Sequence, residues 1–130
     1  MRLLLDTHAF LWYVTNDRRL PRYAADAIRD KNNEVYLSAV SVWEALIKHQ
    51  TRKLELPTPA DEYIDSQRMA HRIADLDLHV GAVARLLSLP SFHRDPFDRM
   101  LVCQALHHGL TLVTTDELLH HYPVAILSPA

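Results

Sequence analysis

Short apolar, β-prone runs at residues 3–5, 34–38 and 110–113 are separated by longer stretches of helical periodicity. Strands spaced this way cannot be joined by tight hairpins, so they run parallel and the helices cross over the sheet. The run Leu3-Leu4-Leu5 has no polar alternation, as expected of a strand covered on both faces. The pattern predicts an α/β fold with a mostly parallel sheet covered on both faces. Helices are expected at residues 8–13, 21–31, 40–50, 58–72, 80–87 and 96–108, with a short one at 117–121. Further strands are expected at 73–78 and 124–127. Thr58, Pro59 and Asp61 suit a helix start as cap, first-turn proline and capping-box acid. Gly109 suits a helix end.

The 130 residues, 48% hydrophobic and 23% charged, predict one globular domain spanning residues 1–130. Cys103 is the one cysteine, so neither an intrachain disulfide nor a cysteine zinc cage can form. Asp6 interrupts the apolar N-terminus, which reads as a first strand and not as a signal peptide. No run approaches the roughly 20 apolar residues that span a bilayer. A cytoplasmic protein without a membrane partner is the expectation. The net charge of −2 argues mildly against a nucleic-acid binder, although local patches matter more than the sum.

The acids carry the chemistry. Asp6 and Asp116 follow apolar runs, at the carboxyl ends of strands where open α/β sheets bind ligands. Asp98 shares a helical stripe with Leu101 and Val102, and Glu44 shares one with Val40 and Ile47. An inward carboxylate is costly unless neutralised. These acids cannot all share one arginine, and a divalent cation answers the problem economically. An all-oxygen set suits Mg²⁺ or Mn²⁺, as one or two ions. Each acid also has a local reading. Asp6 suits the N-cap of the first helix, and Glu44 the capping-box partner of Ser41. Asp95 suits the cap of the helix from Pro96, with Asp98 as its first-turn acid, and Asp116 the cap of the helix at 117–121.

Other α/β domains with clustered acids fit less well. A haloacid-dehalogenase-like phosphatase needs a second Asp two residues after the first, where this chain has His8. A response-regulator receiver needs a Lys after a late strand, and no Lys follows Asp116. A domain that only binds a partner, its acids serving as caps, is the non-enzymatic reading.

The segments LLLDTHAFLW, LSAVSVWEALIKHQTRKLEL, HRDPFDRMLVCQAL and GLTLVTTDELL resemble, in order, the motifs of the PIN domain. Within that family they resemble the VapC-like toxins of toxin–antitoxin pairs. The match covers nearly the whole chain, and no motif acid is missing. The resemblance implies a PIN-like three-layer α/β/α fold with a mostly parallel central sheet of four to five strands. It implies a Mg²⁺- or Mn²⁺-dependent endoribonuclease acting on structured RNA such as tRNA or rRNA, leaving a 5′-phosphate and a 3′-hydroxyl. It also implies a homodimer and a small VapB-like antitoxin as partner.

On this reading Asp6 and Asp98 are direct ligands, and Asp116 ligates directly or through water. Glu44 ligates or acts as a base on water. Thr114 orients a neighbouring carboxylate, and His8 and Asp95 support the centre from its edge. RNA needs cations. Arg99, beside Asp98, is the best-placed candidate, with Arg94, Lys48, Arg52 and Lys53 next and Arg18, Arg19 and Arg22 as a further cluster. Trp12 and Trp43 are read as packing residues. The pairs His107-His108 and His120-His121 match no zinc spacing and are read as exposed helix ends.

Overall fold

In the computed structural model, which describes residues 1–129, the three leucines of the first run are fully buried. They form β1 (Arg2–Leu5), the first of four parallel strands with β2 (Glu34–Ser38), β3 (Ala74–Leu76) and β4 (Thr111–Val113), in the order β3-β2-β1-β4. Leu4 pairs with Tyr36 on one side and with Leu112 on the other. Side chains alternate across a strand, so the leucines divide between two cores. Leu3 and Leu5 join Leu37 and Val113 on one face. Leu4 joins Leu112 on the other. A run with no polar alternation is thus a strand with no wet face.

The first face is covered by α1 (Thr7–Val14), α2 (Arg22–Arg29), α4 (Ala60–Ala70) and part of α3 (Ala39–Gln50), through Phe10, Ala24, Ile28, Ala45 and Ile64. The second is covered by α6 (Pro96–His108), through Leu101, Val102 and Ala105, and α5 (Val80–Ala84) packs against α6. The result is the three-layer α/β/α arrangement. Gly109 ends α6 at φ +66°, a left-handed cap that favours glycine. Among the described residues no helix is long and apolar enough to cross a membrane.

The strand order positions the site. The chain moves outward from β1 to β2 and β3, then returns to place β4 on the other side of β1. The order reverses between β1 and β4, and a crevice opens there at the carboxyl ends of the strands.

Some elements differ from expectation. The strand expected at 124–127 is a single bridge between Leu112 and Ile126. Pro123 and Pro129 flank it, and proline cannot donate to a ladder. The helix expected at 58–72 begins at Ala60, and Thr58 does not cap it. The helix expected at 80–87 tightens into a 3₁₀ turn over Arg85–Ser88 before Pro90. Ser41 is not part of a capping box. Ser38 caps α3, its Oγ accepting from Val40 N–H at 3.0 Å and donating to Gln104 Oε1 of α6.

Leu4→Ala should destabilise the protein by about 2–5 kcal/mol, since the cavity would lie between sheet and helix. Leu118→Ala, at a half-exposed position, should change stability by less than about 0.5 kcal/mol. Denaturant titration of both variants checks the contrast.

Candidate metal centre

Asp6 directly follows β1. Its backbone N–H donates to Val113 O at 3.0 Å, extending the β1–β4 ladder past the end of the strands. Its side chain caps α1, Oδ1 accepting from Ala9 N–H at 2.8 Å. Asp116 lies just beyond β4 and caps the 3₁₀ turn Glu117–His121, Oδ1 accepting from Leu118 N–H at 3.0 Å. Asp95 caps α6, Oδ1 accepting from Phe97 N–H at 2.8 Å and Asp98 N–H at 3.3 Å. Capping occupies one oxygen of a carboxylate and leaves the other to face the crevice, where that of Asp116 meets His93 at 2.8 Å. Cap and site are therefore two uses of the same side chain.

Glu44 and Asp98 cap no helix. Glu44 is buried inside α3, where Oε1 accepts from the Thr7 hydroxyl at 2.5 Å and Oε2 lies 2.6 Å from Lys48 Nζ. Together Asp6, Glu44, Asp95, Asp98 and Asp116 line one cavity of about 170 Å³. Among the described residues, Lys48 is the only lysine or arginine that lines it. A larger hollow of about 520 Å³ lies beside α2 and β2, and its walls mix both signs of charge.

Crowding and burial act on the acids together. Burial raises the Asp98 pKa to about 7, with Asp95, Glu44 and Asp6 adding to the rise and His93 opposing it. Burial also raises that of Asp6, against the Thr114 hydroxyl, the Ala9 N–H and His8, while Glu44 pushes it further up. Burial works against charge on Lys48, but the hydrogen bond and charge of Glu44, with Asp95 and Asp98 beyond, hold its pKa above the usual lysine value. One ammonium leaves the carboxylates undercompensated, and the donors are carboxylate oxygens. That chemistry fits a hard divalent cation.

One residue at the site had no sequence signal as a ligand or support. His93 lies in the loop before α6, with Nε2 at 2.8 Å from Asp116 Oδ2 and 3.3 Å from Asp98 Oδ2. One ligand atom from each of these three residues lies within 4.8 Å of the others. His93 has no helical periodicity and no zinc spacing. Its only visible mark is its place at the head of the segment HRDPFDR.

The other expected residues fall in several places. His8 lines the cavity, its ring 5.5 Å from that of Trp12, which also lines it. Thr114 is buried, and its Oγ1 accepts from Asp116 N–H at 3.0 Å. Lys48 is at the site but paired with Glu44. Arg99 does not line the acidic cavity. It borders an apolar hollow of about 370 Å³ with Trp43, Phe97 and Leu86, because one position along a helix turns a side chain by about 100° from Asp98. Trp43 packs edge-on against Phe97 at 5.0 Å. Arg94 and Arg52 are exposed. Arg19 pairs with Asp17 at 2.7 Å and lies over the Trp12 ring.

The raised Asp98 pKa has a consequence for stability. Between the usual carboxyl range and pH 7, the folded protein keeps a proton on Asp98 that the unfolded chain releases. Stability therefore falls as pH rises through that window. Asp98→Asn removes the effect, so its stabilisation of the metal-free protein should grow from pH 4 to 7 and level off above. The plateau should be on the order of 1–2 kcal/mol, less than full linkage because the carboxyl is partly solvated. Denaturation of both proteins across this range, with chelator present, checks it.

Comparison with known proteins agrees with this architecture. Ribonuclease VapC22 of Mycobacterium tuberculosis is 30% identical over 124 residues, 93% of each chain. Among solved structures, VapBC2 from Rickettsia felis bound to a DNA fragment from its promoter superposes with a TM-score of 0.71 at 16% identity, covering 98% of both chains. DNA-bound VapBC from Salmonella typhimurium superposes with a TM-score of 0.68 at 16% identity, over 98% of this chain and 97% of that one. These two likenesses establish the fold. Residues 3–125 match the PIN domain, and the chain belongs to that family.

Proposed function

We propose that the chain is the VapC-like toxin of a toxin–antitoxin pair, a metal-dependent endoribonuclease that cleaves RNA and so inhibits translation. The observation that carries the reading is the set of five carboxylates around one small cavity, with Asp98 raised to about 7. Caps alone do not account for Glu44 and Asp98, which cap nothing and are largely buried. The likeness to Ribonuclease VapC22 over 93% of both chains supports the activity. The likeness to VapBC complexes supports a small VapB-like antitoxin as partner. The reading includes structured RNA such as tRNA or rRNA as substrate, a single domain over residues 1–130, a homodimer and a cytoplasmic location.

Mg²⁺ or Mn²⁺ held here, as one or two ions, would lower the pKa of a water molecule and offset charge on the phosphate oxygens. Asp6 and Asp98 hold the cation most directly, because each is strongly desolvated and presents a carboxylate to the cavity. Asp116 contributes the oxygen that is not engaged in capping. Thr114 orients Asp6 through its hydroxyl. Glu44, held by Thr7 and Lys48, would ligate the cation or act as a base on its water, and it positions the Lys48 ammonium. That ammonium and His8 face an incoming phosphate. Asp95 shapes the start of α6 and thereby aims Asp98. The exposed Arg52, Lys53 and Arg94 meet the RNA backbone away from the cut, and Arg99 does so from the neighbouring hollow.

The purified protein should cleave total RNA when Mg²⁺ or Mn²⁺ is supplied and stop when the ion is chelated. Asp6→Asn and Asp98→Asn should each reduce cleavage by about 100-fold or more while remaining folded by circular dichroism. Mapping of 5′ ends locates the cut. Undiminished cleavage by Asp6→Asn would sink the proposal.

A further inference from the structure

His93 touches two of the carboxylates, and its bonding defines what it can do for them. Its Nδ1 lies 3.0 Å from the backbone nitrogen of Asp95, which donates to it. A ring nitrogen that accepts a hydrogen bond carries no proton, so in the neutral imidazole the proton sits on Nε2. That Nε2 is 2.8 Å from Asp116 Oδ2 and 3.3 Å from Asp98 Oδ2. Both ring nitrogens are therefore committed. Nδ1 spends its lone pair on the backbone, and Nε2 presents a hydrogen and not a lone pair to the acids. A metal ligand needs a free lone pair.

The ring is held firmly in this pose. His93 N–H donates to the Tyr122 hydroxyl at 2.9 Å, and Tyr122 is itself buried. Asp116 is gripped from both sides, Oδ1 by Leu118 N–H and Oδ2 by His93. Asp95 receives the same treatment, its amide bound to His93 while its carboxylate caps α6. One imidazole thus couples the loop before α6 to the segment after β4.

We propose that His93 is a positioning residue of the metal centre, which orients Asp116 and Asp98 through its Nε2–H and does not itself bind the cation. The proposal rests on the metal-centre reading above. It separates His93 from the acids even though its Nε2 lies as close to them as a ligand would.

Side-chain geometry supplies the test. Glutamine places an amide nitrogen as many bonds from Cα as Nε2, and so keeps a donor toward Asp116. Asparagine places an oxygen at the position of Nδ1, and so keeps only the bond to the Asp95 amide. Mn²⁺ affinity, read by loss of the free-ion EPR signal on titration, should fall about 10- to 100-fold in His93→Ala and His93→Asn. His93→Gln should stay within about threefold of the unsubstituted protein. Pulsed EPR of Mn²⁺ bound to the unsubstituted protein should show no coupling to a directly bonded ¹⁴N. A strong ¹⁴N coupling that disappears in His93→Gln would make His93 a ligand and overturn the proposal while leaving the centre intact. Unchanged affinity in both His93→Ala and His93→Asn would also overturn it. No Mn²⁺ binding by the unsubstituted protein would remove the centre itself, and the role of His93 with it.

Discussion

The hydrogen bond from Asp6 N–H to Val113 O, at 3.0 Å, is the joint on which the site depends. It continues the β1–β4 ladder one residue past the strands and brings the segment after β4 against the start of α1. Asp6 and Thr114 become neighbours there, and Asp116 is placed within reach. The joint is rigid because both strands are buried on both faces. Each of the three leucines before Asp6 contributes roughly 1.5–3 kcal/mol of burial. A stiff, dry sheet delivers acids to its edge with little freedom to move apart.

That rigidity sets up the electrostatic tension of the crevice. Like charges in a medium less polar than water repel strongly, and mobile side chains would relieve the repulsion by turning outward. Here the caps prevent it. Asp6, Asp95 and Asp116 are each held by backbone N–H groups at the start of a helix or 3₁₀ turn. Those bonds fix the direction of each carboxylate. Glu44 is held by Thr7 and Lys48. Burial nonetheless raises the pKa of Asp6, and it raises that of Asp98, which has no cap to make, to about 7.

Much of this was legible in the residues. The three-layer α/β/α architecture follows from the spacing of β-prone and helical segments, and the positions of the acids follow from where apolar runs stop. The opposition of cap and ligand readings for Asp6 and Asp116 was the wrong question, because a carboxylate has two oxygens. Other features could not be read locally. Lys48 is four residues from Glu44, a spacing equally common on solvated helices, and only burial makes that pair part of the site. Arg99 adjoins Asp98 in sequence yet faces an apolar hollow. The last expected strand carries β-formers, but the prolines around it leave a single bridge.

By itself the sequence determined the segments that form the four strands, that they run parallel, and that carboxylates follow the ends of β1 and β4. Those properties are local, set by periodicity, by chain reach and by the cost of burying charge. The tertiary structure decided that β4 lies beside β1 and not beyond β3, since strand order depends on how whole helices cover the sheet. It also decided that His93 meets Asp98 and Asp116, held there through Tyr122 and the Asp95 amide. Those contacts join residues up to 29 positions apart, and no local pattern encodes them.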